Sequence, residues 1–210
     1  MRNLSKVFIL CLLVFISMQS FAQKFGVQAG VNLANMVAKD DEDTYSDDFE
    51  MNLGFNAGVT FELSFSDFLG LEMGALVDTK GFKISESGAT LKMNLLYADI
   101  PVLVKGGPTL GAVKIFGAAG PYLGFGITGK YTFEFDGDKE SEDVVWGDGD
   151  DADFKRLDYG AKFGLGAEVK GFSIGAYYAL GLANLAADDS EGYKESHRVV
   201  SFSVGYKFGK

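Results

Sequence analysis

From Lys24 onward, apolar and polar residues alternate along most of the chain. The clearest stretch puts Leu53, Phe55, Ala57, Val59, Phe61, Leu63 and Phe65 on one face and Gly54, Asn56, Gly58, Thr60, Glu62 and Ser64 on the other. Leu157, Tyr159, Ala161, Phe163, Leu165, Ala167 and Val169 oppose Asp158, Gly160, Lys162, Gly164, Gly166 and Glu168 in the same way. Near the C-terminus Val200, Phe202, Val204, Tyr206 and Phe208 oppose Val199, Ser201, Ser203, Gly205 and Lys207. A period of two with unlike faces predicts strands. Looser alternation marks residues 24–34, 68–83, 90–105, 113–135 and 172–186, which brings the predicted strands to eight.

Alternation alone does not name the solvent; the composition of the two faces does. A soluble barrel covers its outside with charge, whereas here the second face is mostly Gly, Ser, Thr and Asn with scattered charges. Residues this small cover a wet surface poorly, yet they suit the narrow interior of a small barrel. The inverse arrangement, an apolar band about 25 Å tall around a polar lumen, belongs to membrane barrels. Roughly ten tilted residues cross such a band, and the predicted strands are long enough. Closure also removes the unpaired strand edges that lipid cannot satisfy. The prediction is therefore all-β: an eight-stranded antiparallel up-and-down transmembrane β-barrel.

The connections alternate in length. Ser66–Asp67, 106–112 and Lys170–Gly171 are short, whereas 35–52, 136–155 and 187–196 are long, and 84–89 is the shortest of this second set. Short turns on one rim and long loops on the other predict a periplasmic short rim carrying both termini. Pro101 lacks an amide hydrogen inside a predicted strand, so a bulge is expected there.

Residues 1–22 read as a secretory signal peptide: Arg2 and Lys6, the apolar run Val7–Ile16, then Ser20-Phe21-Ala22 before a cleavage site. That run falls short of the about 20 residues a spanning helix needs. Residues 23–210 form the barrel domain. Lone Cys11 leaves with the signal, and lone His197 offers no zinc cluster. The 28 glycines exceed the usual share and fit neither a helical bundle nor a disordered polymer.

The formal net charge of −10 argues against nucleic acid as a partner. Acidity gathers in the long connections, which hold 20 of the 29 acidic residues. Asp148, Asp150, Asp151 and Asp153 are the candidate metal ligands, a weak Ca²⁺ site of clustered oxygens without EF-hand spacing. No other cofactor is expected. The blander account of the same run is a solvated loop.

Glu62, Glu72, Asp78, Asp99, Lys105, Asp158, Lys162, Glu168 and Lys207 fall on the polar face, which is expected to line the lumen. Charges in a narrow lumen must pair or stay hydrated, so an internal salt-bridge network is expected, with an ion path or a carboxylate pair as the functional alternative. His197 is expected at the surface, at the start of the last strand. Neither Ser196 nor Ser201 sits in a nucleophile elbow with it. Gly124-Phe125-Gly126 and Gly164-Leu165-Gly166 precede no helix, so they read as small inward residues and not as a dinucleotide site. Tyr131, Phe133, Phe135, Tyr159, Tyr178, Tyr206 and Phe208 are candidates for interfacial girdles.

Several segments together resemble the PorT-like outer-membrane β-barrel proteins of the Bacteroidetes. They are Phe25-Gly26-Val27-Gln28-Ala29-Gly30-Val31-Asn32, Tyr97-Ala98-Asp99-Ile100-Pro101-Val102-Leu103-Val104-Lys105 and Gly120-Pro121-Tyr122-Leu123-Gly124. Asp158-Tyr159-Gly160 and Tyr178-Ala179-Leu180-Gly181-Leu182-Ala183-Asn184 extend the likeness. The resemblance implies an eight-stranded barrel in the outer membrane. Gly209 and Lys210 follow Phe208, a departure from the terminal aromatic residue that the barrel insertion machinery commonly reads. The expected function is a non-enzymatic integral outer-membrane protein with acidic extracellular loops, in a structural or interaction role. Its partners would be outer-membrane lipid, the insertion machinery and a protein at the acidic loops. The alternatives are a narrow passive pore and a lipid-modifying barrel enzyme, for which Glu72 and His197 are the residues to test.

Overall fold

The computed structural model describes residues 22–40, 49–149, 151–188 and 192–209. The predicted signal peptide, apart from its last residue, lies outside the described residues. The strands are β1 (Ala22–Lys39), β2 (Asn52–Ser64), β3 (Leu69–Glu86), β4 (Ala89–Gly106), β5 (Thr109–Leu110), β6 (Val113–Phe135), β7 (Asp138–Asp143), β8 (Leu157–Val169), β9 (Phe172–Gly181) and β10 (Lys194–Phe208). Eight of them pair antiparallel in the ring β1–β2–β3–β4–β6–β8–β9–β10, and β10 returns to β1 to close it. The short β5 and β7 each pair with β6 and stand outside the ring.

The predicted faces hold. Leu165 and Val204 are 70% and 60% exposed on the outer wall, whereas Glu62 and Asp158 are 2% and 0% exposed in the lumen. Phe55 and Phe163 also face outward. Phe61 packs against Phe25 on the outer wall, with ring centroids 4.9 Å apart. A protein that buries carboxylates and exposes phenylalanines is built for hydrocarbon outside and polar groups inside. At the short-turn end, Tyr206 packs against Phe172 at a tilt (4.7 Å) and meets Phe208 edge-on (4.9 Å), an aromatic cluster suited to a membrane interface.

Three hairpins close on two-residue turns with both φ angles positive: Ser87–Gly88 (48° and 87°), Asp136–Gly137 (49° and 91°) and Lys170–Gly171 (51° and 88°). This backbone twist matches the twist of paired strands. The second turn changes the predicted layout. Residues expected to form one long loop after Phe135 instead reverse at Asp136–Gly137, and β7 pairs back along β6 from Phe135↔Asp138 to Lys130↔Asp143. The Asp-Gly pair after the alternating Tyr131, Phe133 and Phe135 is the local signal for it.

The structure corrects the expected bulge at Pro101. The irregularity lies between Leu96 and Tyr97, where β6 carries the extra residue and both Ile127 and Thr128 are exposed. At Pro101 the β3–β4 pairing lapses between Met73↔Val102 and Leu76↔Asp99 and resumes in the same register. The missing amide hydrogen is absorbed by a gap in the ladder, opposite Gly74, which leaves room for the proline ring.

Candidate functional site

The inward side chains of β4 run in the order Met93, Leu95, Tyr97, Asp99, Pro101, Leu103 and Lys105, and they sample every layer of the lumen. At the long-loop end, Met93 and Leu95 join Met36, Phe82, Val144, Phe154, Ala183 and Leu185 in a buried apolar plug. Val144 and Phe154 belong to the segment between β7 and β8, which folds down into the mouth. Phe154 bridges to Trp146 and to Ala186. Asp153 braces the fold: its Oδ2 accepts from the Val145 amide at 2.8 Å. Arg156 Nη1 donates to the Gly126 carbonyl at 2.7 Å and ties the segment to β6.

Beneath the plug lies a first charged layer. Lys80 Nζ donates to Asp99 Oδ1 (3.0 Å) and Asp158 Oδ2 (2.9 Å), and it sits 4.5 Å and 4.6 Å from the ring centroids of Tyr97 and Tyr122. Asp158 Oδ2 also accepts from the Tyr122 hydroxyl at 3.1 Å and lies 3.2 Å from His197 Nδ1. Beside it, Asn32 Nδ2 donates to Asp78 Oδ1 at 2.5 Å, and Lys162 Nζ stands 3.9 Å from Asp78 Oδ2. Pairing of this kind is what makes buried charge tolerable.

A second charged layer sits nearer the short-turn end. Lys207 Nζ bonds Glu62 Oε2, Glu72 Oε2 (2.8 Å) and Glu168 Oε2 (3.2 Å). Lys105 Nζ approaches the same three oxygens at 3.4, 3.3 and 3.1 Å and lies 3.8 Å from the centroid of the Phe116 ring. Between the layers, Leu103, Phe116 and Ala118 form a small apolar cluster. A cavity of about 10 Å³ lined by Gln28, Thr60, Glu72, Lys162 and Tyr177 has room for one water.

All nine charges predicted for the inner face are buried. Lys80 belongs with them, and its position two residues after Asp78 was the available signal. His197 is corrected: at 1% exposure it is a lumen residue. The last strand begins at Lys194, earlier than its alternation suggested, and so carries His197 inward in step with Val199 and Ser201. Tyr131 is corrected too, since it packs against the plug. Gly124 adjoins Asp99 and Lys80, Gly126 adjoins Trp146, and Gly164 adjoins Tyr177, as expected of small inward residues.

Of the candidate metal ligands, Asp148, Asp151 and Asp153 are exposed on the segment before β8, and Asp150 lies outside the described residues. Among the described residues, no three His, Cys, Asp or Glu side chains come together to hold a metal ion. Glu72 and His197 belong to different charged layers, each bonded within its own.

Among solved structures, the attachment invasion locus protein Ail of Yersinia pestis is similar at 17% identity and a TM-score of 0.43, over 89% of this chain and 99% of that one. The Neisserial surface protein A is similar at 13% identity and 0.42, over 89% and 97%. Outer membrane protein W of E. coli is similar at 14% and 0.43, over 89% and 98%. None of the curated proteins matches. Residues 21–187 match the outer membrane protein beta-barrel domain family, which accords with a closed ring, an apolar outer wall and a charged lumen. The chain is thus a member of that family, a small outer-membrane β-barrel protein.

Proposed function

We propose that the protein is a closed, non-enzymatic anchor of the PorT-like kind. Its barrel fixes it in the outer membrane and holds a structured acidic rim outside the cell. The observation that carries this reading is the filled lumen: an apolar plug, then Lys80 with Asp99 and Asp158, then Lys105 and Lys207 with Glu62, Glu72 and Glu168. A barrel of eight strands has an interior that side chains can fill, and here they interlock across the bore. The asymmetry of the two ends supports an orientation with the short turns and both termini in the periplasm. The bonding of Glu72 to Lys105 and Lys207, and of His197 to Asp158, supports a structural role for both residues. The PorT-like assignment is supported by the Tyr97–Lys105 segment, whose inward Tyr97, Asp99 and Lys105 all enter the lumen network.

Planar-bilayer recording of folded, heat-modifiable monomers tests the closed barrel. No steady conductance is expected, and a steady single-channel current would favour the pore. Turnover of labelled phospholipid that disappears in Glu72→Ala or His197→Ala would favour the enzyme.

A further inference from the structure

Strand β7 stands outside the closed ring. It pairs with β6 on one side only, and all six of its residues are exposed. Among the described residues its second edge has no strand partner, so a row of backbone donors and acceptors faces water. Such an edge is a template for another strand.

The side chains bordering that edge are not neutral. The register with β6 sets Asp138, Glu140 and Glu142 opposite Phe135, Phe133 and Tyr131, all on one face of the hairpin. On the next strand Leu91 pairs with Phe133. Leu91, Tyr131, Phe133, Glu140, Ser141 and Glu142 line an open hollow of about 670 Å³. Phe133 and Phe135 are about half exposed, outside the plug. The face therefore offers an apolar floor beside an acidic border, next to an unpaired backbone edge. Long basic side chains satisfy both features, laying their methylenes on the floor and their charges at the border.

We propose that the β7 edge receives an extended segment of a partner protein, added as a strand, with Lys or Arg at alternate positions facing Asp138, Glu140 and Glu142. The backbone ladder supplies affinity and the acidic border selects the partner. This deepens the anchor reading and rests on it for the edge lying outside the cell. The two fail separately: a conducting barrel would remove the anchor reading, whereas the strand-addition test reads only the hairpin.

The full chain in detergent micelles is titrated with a short peptide alternating lysine and valine, then with the same peptide N-methylated at alternate residues. N-methylation keeps the charge and removes backbone donors. Saturable binding of the first peptide is expected, with slowed hydrogen exchange at the β7 amides, and loss of binding for the second. The Glu140→Lys/Glu142→Lys variant, whose substitutions lie outside the barrel wall, should keep heat-modifiable mobility and bind about tenfold more weakly, a change of about 1.4 kcal/mol. Equal binding by the N-methylated peptide, unchanged binding by the reversed-charge variant, or no binding by the parent peptide would each overturn the proposal.

Discussion

Trp146 occupies the space that a side chain at Gly126 would fill: a Cβ on Gly126 would stand 2.5 Å from Trp146 Cζ3. The indole of Trp146 also meets Tyr97 edge-on, with centroids 5.7 Å apart. Tyr97 in turn meets His197 edge-on at 5.2 Å. One aromatic column thus joins the plug to the first charged layer.

Gly126→Val should unseat the plug without opening the ring, because the added branches point at Trp146. Trp146 is the only tryptophan, so the readout is direct. Its fluorescence should shift to the red and become open to acrylamide quenching, while heat-modifiable mobility persists. An unchanged spectrum would mean that the notch does not hold the indole.

Lys207→Met would leave Lys105 as the one lysine bonded to Glu62, Glu72 and Glu168 in the second layer. Removing one partner of a buried ionic group costs about 3–5 kcal/mol. A lower urea midpoint for the folded barrel is the expected result. Adding Glu62→Gln should restore part of the loss, because neighbouring changes in one network are not additive. Equal midpoints for wild type and Lys207→Met would show that this layer contributes nothing to stability.

Asp158→Asn keeps shape but removes the charge that Lys80, Tyr122 and His197 share. Destabilisation of about 3 kcal/mol is expected, the lower end for breaking a buried pair, because Lys80 keeps Asp99. Asp151→Asn, on the exposed segment, should stay within about 0.5 kcal/mol. Comparable unfolding midpoints for the two variants would contradict the network's role.

Gly137→Val places a branched residue at φ 91°, where only glycine is comfortable. The strain, about 1–3 kcal/mol, should loosen the β6–β7 hairpin and speed hydrogen exchange at Asp138–Asp143. Exchange in the ring strands should stay as it was. Unchanged exchange in β7 would show that this turn does not hold the hairpin.

The register of faces was legible because each strand spans one wall between two unlike solvents, so every second residue reports the same environment. That is why Glu62, Asp158 and Lys207 could be assigned to the lumen from their positions alone. Lys80 and His197 obey the same parity, but they lie beyond the stretches where apolar neighbours mark it cleanly. At the long-loop end the lumen itself becomes apolar, with Met36, Met93 and Leu95 facing inward, and the contrast between faces fades. The bulge at Ile127 then shifts β6 by one residue, so Gly129 faces inward where the earlier alternation would have placed Thr128.

By itself the sequence determined the eight strands of the ring, their faces and the solvent each face prefers, because these follow from local period and side-chain polarity. Which charge meets which was decided only by closure of the ring, which brings Lys207 of the last strand to Glu62 and Glu72 of the second and third. The same is true of the plug and the free edge of β7. Both depend on where a long connection goes after it leaves the wall, and there no alternating solvent writes a pattern into the chain.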